Sequence, residues 1–186
     1  MEVRALAIPD VKLVAPRRIE DDRGYFSETY SKKDLMAAGI ADEFVQDNHS
    51  LSRSPGVIRG LHFQTKPHAQ GKLVRVLRGS IFDVAVDIRR NSPTFGQHIA
   101  VELSADNWLQ LWVPIGFAHG FCTLTPDTEV IYKVTTYYDP ASDRGLAFDD
   151  PQLAIAWPVA AGRAVVSAKD RGHPRLSDLP DYFTYP

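Results

Sequence analysis

Short runs in which apolar and polar side chains alternate recur along this chain about every ten residues, separated by clusters of Pro, Gly, Asn and Asp. "KLVRVLRGSIFDVAVDIR", residues 72–89, is the clearest of them. A period of two belongs to a strand with one buried face, because successive side chains there point to opposite sides. Gly79-Ser80 divides this stretch into two β-rich halves and suits a hairpin turn. Further runs are "FVQDNHSLS", "HIAVEL", "LQLWVP", "AHGFCTL" and "TEVIYKVTTYY". Only "SKKDLMAAGI" reads as a helix, with Ser31 as its cap and Gly39 at its end. So many short strands predict an all-β sandwich or small jelly-roll barrel with short peripheral helices. Prolines become frequent from Asp139 onward, which predicts a loop-rich C-terminal third packed on the barrel.

A chain of 186 residues suits one domain spanning 1–186. The net charge of −2 argues against general attraction to nucleic acid or to an anionic membrane, so any anion site must be local. Cys122 is the only cysteine, which excludes a disulfide framework and a multi-cysteine zinc site. With no signal-like N-terminus and no apolar stretch of membrane-spanning length, the expected location is the cytoplasm.

Between Asp47 and Asp83 stand Arg53, Arg59, Lys66, Lys72, Arg75 and Arg78 without a single carboxylate. Such a cluster suits a phosphate or diphosphate gripped by paired donors. It equally suits an edge strand protected by charge. Within it, His62 lies between Leu61 and Phe63, so alternation sends it to the opposite face from those two. An imidazole titrates near neutrality and can take a proton there, although a lone strand histidine is more often a hydrogen-bonded structural residue.

"VPIGFAHGF" carries P-x-G-x-x-H ending at His119, similar to the second metal motif of cupins. The first cupin motif needs a second histidine and an acid, where this chain has Gln64, Lys66 and Pro67. One imidazole per motif, with Arg59 and Lys72 near, is a poor cage for a dication, so the expectation is a cupin-like barrel without metal. Tyr132 shares strand parity with Val130 and Val134 and should face inward with them. Asp170 falls in a stretch that periodicity does not place, and His49, His68, His98 and His173 have no comparable support.

Taken together, "DDRGYFSETY", "FVQDNHSLSR", "VIRGLHFQ" with "GKLVRVLRG", "VPIGFAHGF" and "VSAKDRGHPRLSDL" resemble the dTDP-4-dehydrorhamnose 3,5-epimerase family over nearly the whole length. The resemblance implies a homodimeric, metal-independent jelly roll that needs no cofactor and acts on a nucleotide-linked 4-keto-6-deoxy sugar. It implies His62 as base, Asp170 as the carboxylate supporting its imidazolium, Lys72 as the cation facing an enolate, and Tyr132 as the acid on the other face. It further implies substrate contacts at Arg23, Phe26, Glu28, Gln46, Asn48, Arg59, His119, Asp143 and Lys169. Asp143 stands where the family usually has Glu, one methylene longer.

Strict alternation would put Arg59 and His62 on opposite faces of one strand, whereas the resemblance puts both in one site. A β-bulge at Gly60 would reset the parity. Other readings remain: a single-centre epimerase, a metal-dependent cupin, or a non-catalytic sugar-nucleotide binding module. The first is opposed by Tyr132, the second by the missing H-x-H, and the third by His62, Lys72, Tyr132 and Asp170 occurring together.

Overall fold

The computed structural model describes residues 1–186, apart from the side chain of Ala161. Two antiparallel sheets hold most of the strands. One has six strands in the order β1 (Glu2–Ala5), β2 (Lys12–Ala15), β11 (Gln110–Val113), β7 (Lys72–Arg78), β13 (Thr128–Val134) and β5 (Gln46–Ser52). The other has β10 (His98–Ser104), β8 (Ser80–Asp87), β12 (Phe117–Thr123), β6 (Ile58–Gln64) and β14 (Asp143–Gly145). A small hairpin, β3 (Ile19–Asp21) with β4 (Gly24–Phe26), and a short parallel pair, β9 (Arg89–Arg90) with β15 (Phe183–Thr184), complete the strands. The short helix α1 (Lys32–Ala37) starts as expected, with the Ser31 hydroxyl accepting from the Asp34 N–H, and Gly39 follows it at φ +77°.

Alternation sorts the side chains into layers. Val74, Val76 and Val130 from the six-stranded sheet meet Ile81, Ala85, Leu103 and Phe121 from the other in the core between the sheets. The outer face of the five-stranded sheet is buried as well: Leu61, Phe63, Val84 and Val86 pack under Leu153, Leu176, Leu179 and Phe183 of the C-terminal third. This proline-rich third is therefore a structural cover, held by burial rather than by regular hydrogen bonding.

Two expectations are corrected. Gly79 has φ +77° and ends β7, but β7 and β8 lie in different sheets and do not pair. The Gly79-Ser80 step is a corner between sheets, not a hairpin turn. A Cβ at Gly79 would stand 2.3 Å from the Thr125 hydroxyl oxygen, so glycine is fixed there by space as well as by φ. The edge-strand reading of the cationic stretch also fails, because β6 lies between β12 and β14 and β7 between β11 and β13.

Candidate active site

The parity problem on β6 is resolved at Gly60. His62 pairs with His119 and Arg59 with Phe121, so three steps along β6 match two along β12. That extra residue is a bulge, and Gly60 takes φ +133° within it. A Cβ at Gly60 would lie 2.5 Å from the Gly120 Cα, so the two strands meet through a pair of glycines. Arg59 and His62 consequently face the same way, while Leu61 and Phe63 stay on the outer face.

Both line a cavity of about 480 Å³ between the sheets. Lys72 and Tyr132 enter it from β7 and β13 of the six-stranded sheet, and His62 and His119 from β6 and β12 of the other. Asp170 joins them from α2 (Ala168–Arg171), whose cap is the Ser167 hydroxyl accepting from the Asp170 N–H. An adjoining recess of about 240 Å³ shares His62, Lys72 and Tyr132 and adds Gln46, Asn48, Asp143 and Lys169. There the Gln46 side chain donates to Asn48 Oδ1 at 2.8 Å, and Lys169 is ion-paired with Asp143. Asp143 Oδ2 also accepts from the Tyr138 hydroxyl at 3.1 Å.

His62 Nε2–H donates to Asp170 Oδ1 at 2.9 Å, and the Gly60 N–H donates to Asp170 Oδ2 at 3.1 Å. Burial alone would raise the Asp170 carboxyl, but the hydrogen bond and charge of His62, with the Gly60 N–H, outweigh it and hold the group at about 2. Asp170 is thus an anion seated against the Nε2 side of the His62 ring. His119 Nε2 is 2.8 Å from the fully buried Asp83, which fixes its ring at the cavity wall.

Burial pushes the Lys72 ammonium down to about 8, against the attraction of Asp143 and Asp83. Its Nζ donates to the His62 carbonyl at 3.2 Å. Burial pushes the Tyr132 phenol up, with Asp143 adding to it and Arg59 opposing. The phenol therefore keeps its proton at neutral pH and is available as an acid.

The other cations of the central stretch disperse. Arg53 pairs with Asp127 on the surface, and Arg75 lies over the Trp108 ring. Arg23, Phe26 and Glu28 do not line the cavity or the recess. They belong to the β3–β4 hairpin and the residues just after it, where Arg23 pairs with Asp21 and Phe26 is 66% exposed.

His173 was not singled out by the sequence, and the structure brings it to the site. Its ring stands edge-on to His62 with centroids 5.5 Å apart, and its Nε2 is 3.8 Å from Asp170 Oδ1. The side chain is nine-tenths buried, and Nε2 has no hydrogen-bond partner among the described residues. Its spacing from Asp170, three residues on at the end of a helical turn, was the available signal.

The family model described as dTDP-4-dehydrorhamnose 3,5-epimerase matches residues 5–178. A dTDP-4-dehydrorhamnose 3,5-epimerase from Sinorhizobium fredii is 52% identical over 186 residues, covering 100% of this chain and 94% of that one. The crystal structure of the Bacillus anthracis enzyme with TDP and PPi bound is 52% identical, with TM-score 0.90, covering 94% of this chain and 98% of that one. The Legionella pneumophila enzyme in complex with dTDP-4-keto-L-rhamnose is 44% identical, with TM-score 0.94, covering 100% and 98%. With this identity along the whole chain and the same fold, the protein belongs to the dTDP-4-dehydrorhamnose 3,5-epimerase family and is an enzyme with that activity.

Proposed function

We propose that the cavity takes dTDP-4-dehydro-6-deoxy-D-glucose and inverts C3 and C5 with the chain's own base, acid and cation. Protons on those carbons flank the C4 ketone. His62 removes one of them through its free Nδ1, and the electron pair moves onto the C4 oxygen as an enolate. Asp170 supports the imidazolium so formed, in the His/carboxylate logic of general-base sites. Lys72, when protonated, faces the enolate charge in a water-poor cavity. Tyr132 gives its proton to the opposite face of the same carbon, which inverts it. Proton exchange with solvent resets both groups for the second carbon.

The observation that carries this reading is the position of the two proton-transfer groups on opposing sheets, His62 on β6 and Tyr132 on β13, lining one cavity. A base and an acid on opposite walls are what inversion needs, whereas a binding module has no use for a low-lying carboxylate aimed at a histidine. Arg59, Gln46, Asn48, His119, Asp143 and Lys169 are placed by this reading around the sugar and diphosphate. Incubation with dTDP-4-dehydro-6-deoxy-D-glucose, followed by proton-coupling analysis at C3 and C5, tests it. The L-configured 4-dehydro sugar is expected, and inversion at one carbon alone would favour a single-centre epimerase.

Homodimerisation is part of the proposal. It is supported by the β3–β4 hairpin, which exposes Ile19, Tyr25 and Phe26 at 55%, 53% and 66% while standing apart from the cavity of its own chain. A second copy that brings this hairpin to the cavity mouth adds an aromatic ring and Arg23 to the nucleotide end of the site.

A further inference from the structure

We propose that His62, Asp170 and His173 together form a site for one zinc-type divalent cation, and that its occupation silences the base. The three residues come from β6, α2 and the turn after α2, and one ligand atom from each lies within 4.8 Å of the other two. Asp170 Oδ1 is the hub, 2.9 Å from His62 Nε2 and 3.8 Å from His173 Nε2. In a tetrahedral zinc site with bonds of about 2.0–2.2 Å, ligand atoms are separated by about 3.3–3.5 Å. Each contact with Asp170 is within about half an ångström of that spacing, a shift that side-chain torsions absorb.

The state of His173 points to a ligand independently of the cluster. Its Nε2 is buried and carries no hydrogen bond among the described residues, although the Asp170 carboxylate stands 3.8 Å away. Gly145 makes room for this ring, since a Cβ there would come within 2.4 Å of three ring atoms. A nitrogen held in that position at the cost of an unmade hydrogen bond is a metal ligand in waiting.

Donor chemistry selects the ion. Two imidazoles and one carboxylate suit Zn²⁺, Co²⁺ or Cu²⁺ and not the oxygen-seeking Mg²⁺ or Ca²⁺. His62 and Asp170 border the cavity, which leaves a fourth position for water. Lys169, the residue before Asp170, is ion-paired with Asp143, which offsets its charge. Binding must displace the Nε2 proton of His62 and replace its hydrogen bond to Asp170, so the metal and the imidazolium exclude each other. The loss of activity rests on the proposed role of His62 as base, whereas the binding site itself does not.

Calorimetric titration of the chelator-treated, full-length protein with Zn²⁺ tests the site. One Zn²⁺ per chain is expected, with affinity reduced by about tenfold or more in both His173→Gln and His173→Asn. These variants separate the site from the surface pairs His49–Glu129 and His68–Asp139, which offer one imidazole each. Co²⁺ in place of Zn²⁺ should give the visible absorption of a four-coordinate centre, and lose it in the same variants. In solvent-deuterium exchange with the sugar substrate, Zn²⁺ should inhibit the wild type reversibly on chelation and the variants only at correspondingly higher concentration, with Mg²⁺ inert. Equal Zn²⁺ affinity in wild type and both variants, or no binding, would overturn the site. Binding that requires His173 but leaves exchange unchanged would overturn His62 as the base.

Discussion

In the proposed mechanism, Lys72 is one buried residue that ties stability to catalysis. Its ammonium falls from 10.5 to about 8 because burial strips its water. The unfolded chain therefore holds this proton more tightly than the folded one, and the fold gains stability as pH rises from about 8 to 10.5. Below that window the charged lysine is a net cost, so Lys72→Met should stabilise the fold at pH 7 by about 1–3 kcal/mol while removing most activity. Thermal unfolding and turnover measured on one preparation check both halves. If the enolate needs a cation, kcat/KM should fall above pH 8 in the wild type, and Lys72→Arg should move that limb upward. Asp170→Asn should lower kcat by about 10²–10⁴-fold with KM little changed, because in the proposed mechanism the carboxylate serves the base and not ground-state binding. Tyr132→Phe should keep proton removal and lose inversion at one or both carbons, which separate exchange and epimerisation assays distinguish. The inward position of Tyr132 was legible from its parity with Val130 and Val134. Asp170 was legible only by resemblance, since its approach to His62 spans 108 residues of sequence. His173 went unread because its meaning depends on that same long-range contact.

Among the elements, β6 joins local sequence to site geometry most directly. Alternation placed His62 correctly, and the glycine between Arg59 and Leu61 marked the bulge that turns Arg59 to the same face. Gly60→Ala should cost about 3 kcal/mol or more, since it combines a positive φ with a Cβ driven into Gly120. A melting-temperature comparison with Gly162→Ala, where nothing lies within 4 Å of the added Cβ, provides the control. The corner at Gly79 was misread for a physical reason: a glycine at positive φ reverses a hairpin or changes sheets equally well. Which one occurs is decided by pairing partners distant in sequence, β11 and β13 for β7, and β10 and β12 for β8. The capped helix at Lys32–Ala37 involved only local signals, and there sequence and structure agree.

The two sheets enclose a cavity that collects only Arg59 and Lys72 from the six cations of the central stretch. Linear charge density overstated the site because successive side chains on β7 face opposite ways, Lys72 inward and Arg75 outward. The hairpin carrying Arg23 and Phe26 lies outside the cavity of its own chain, so the proposed dimer makes a direct prediction. Neither Arg23→Ala nor His62→Ala alone should turn over substrate well, yet co-refolding them should restore about a quarter of the wild-type activity. Random reassociation gives one intact site per mixed dimer if the hairpin is exchanged across the interface. No recovery in a mixture shown by light scattering to be dimeric would place Arg23 in its own chain's site. No helix among the described residues is long and apolar enough to cross a membrane. In the proposed mechanism one histidine starts both inversions. Proton NMR of dTDP-4-dehydro-6-deoxy-D-glucose in deuterated water, with wild type and His62→Ala side by side, tests it directly. The C3 and C5 signals should both disappear with the wild type and both persist with the variant, whereas exchange at either carbon by His62→Ala at a rate near wild type would contradict the mechanism.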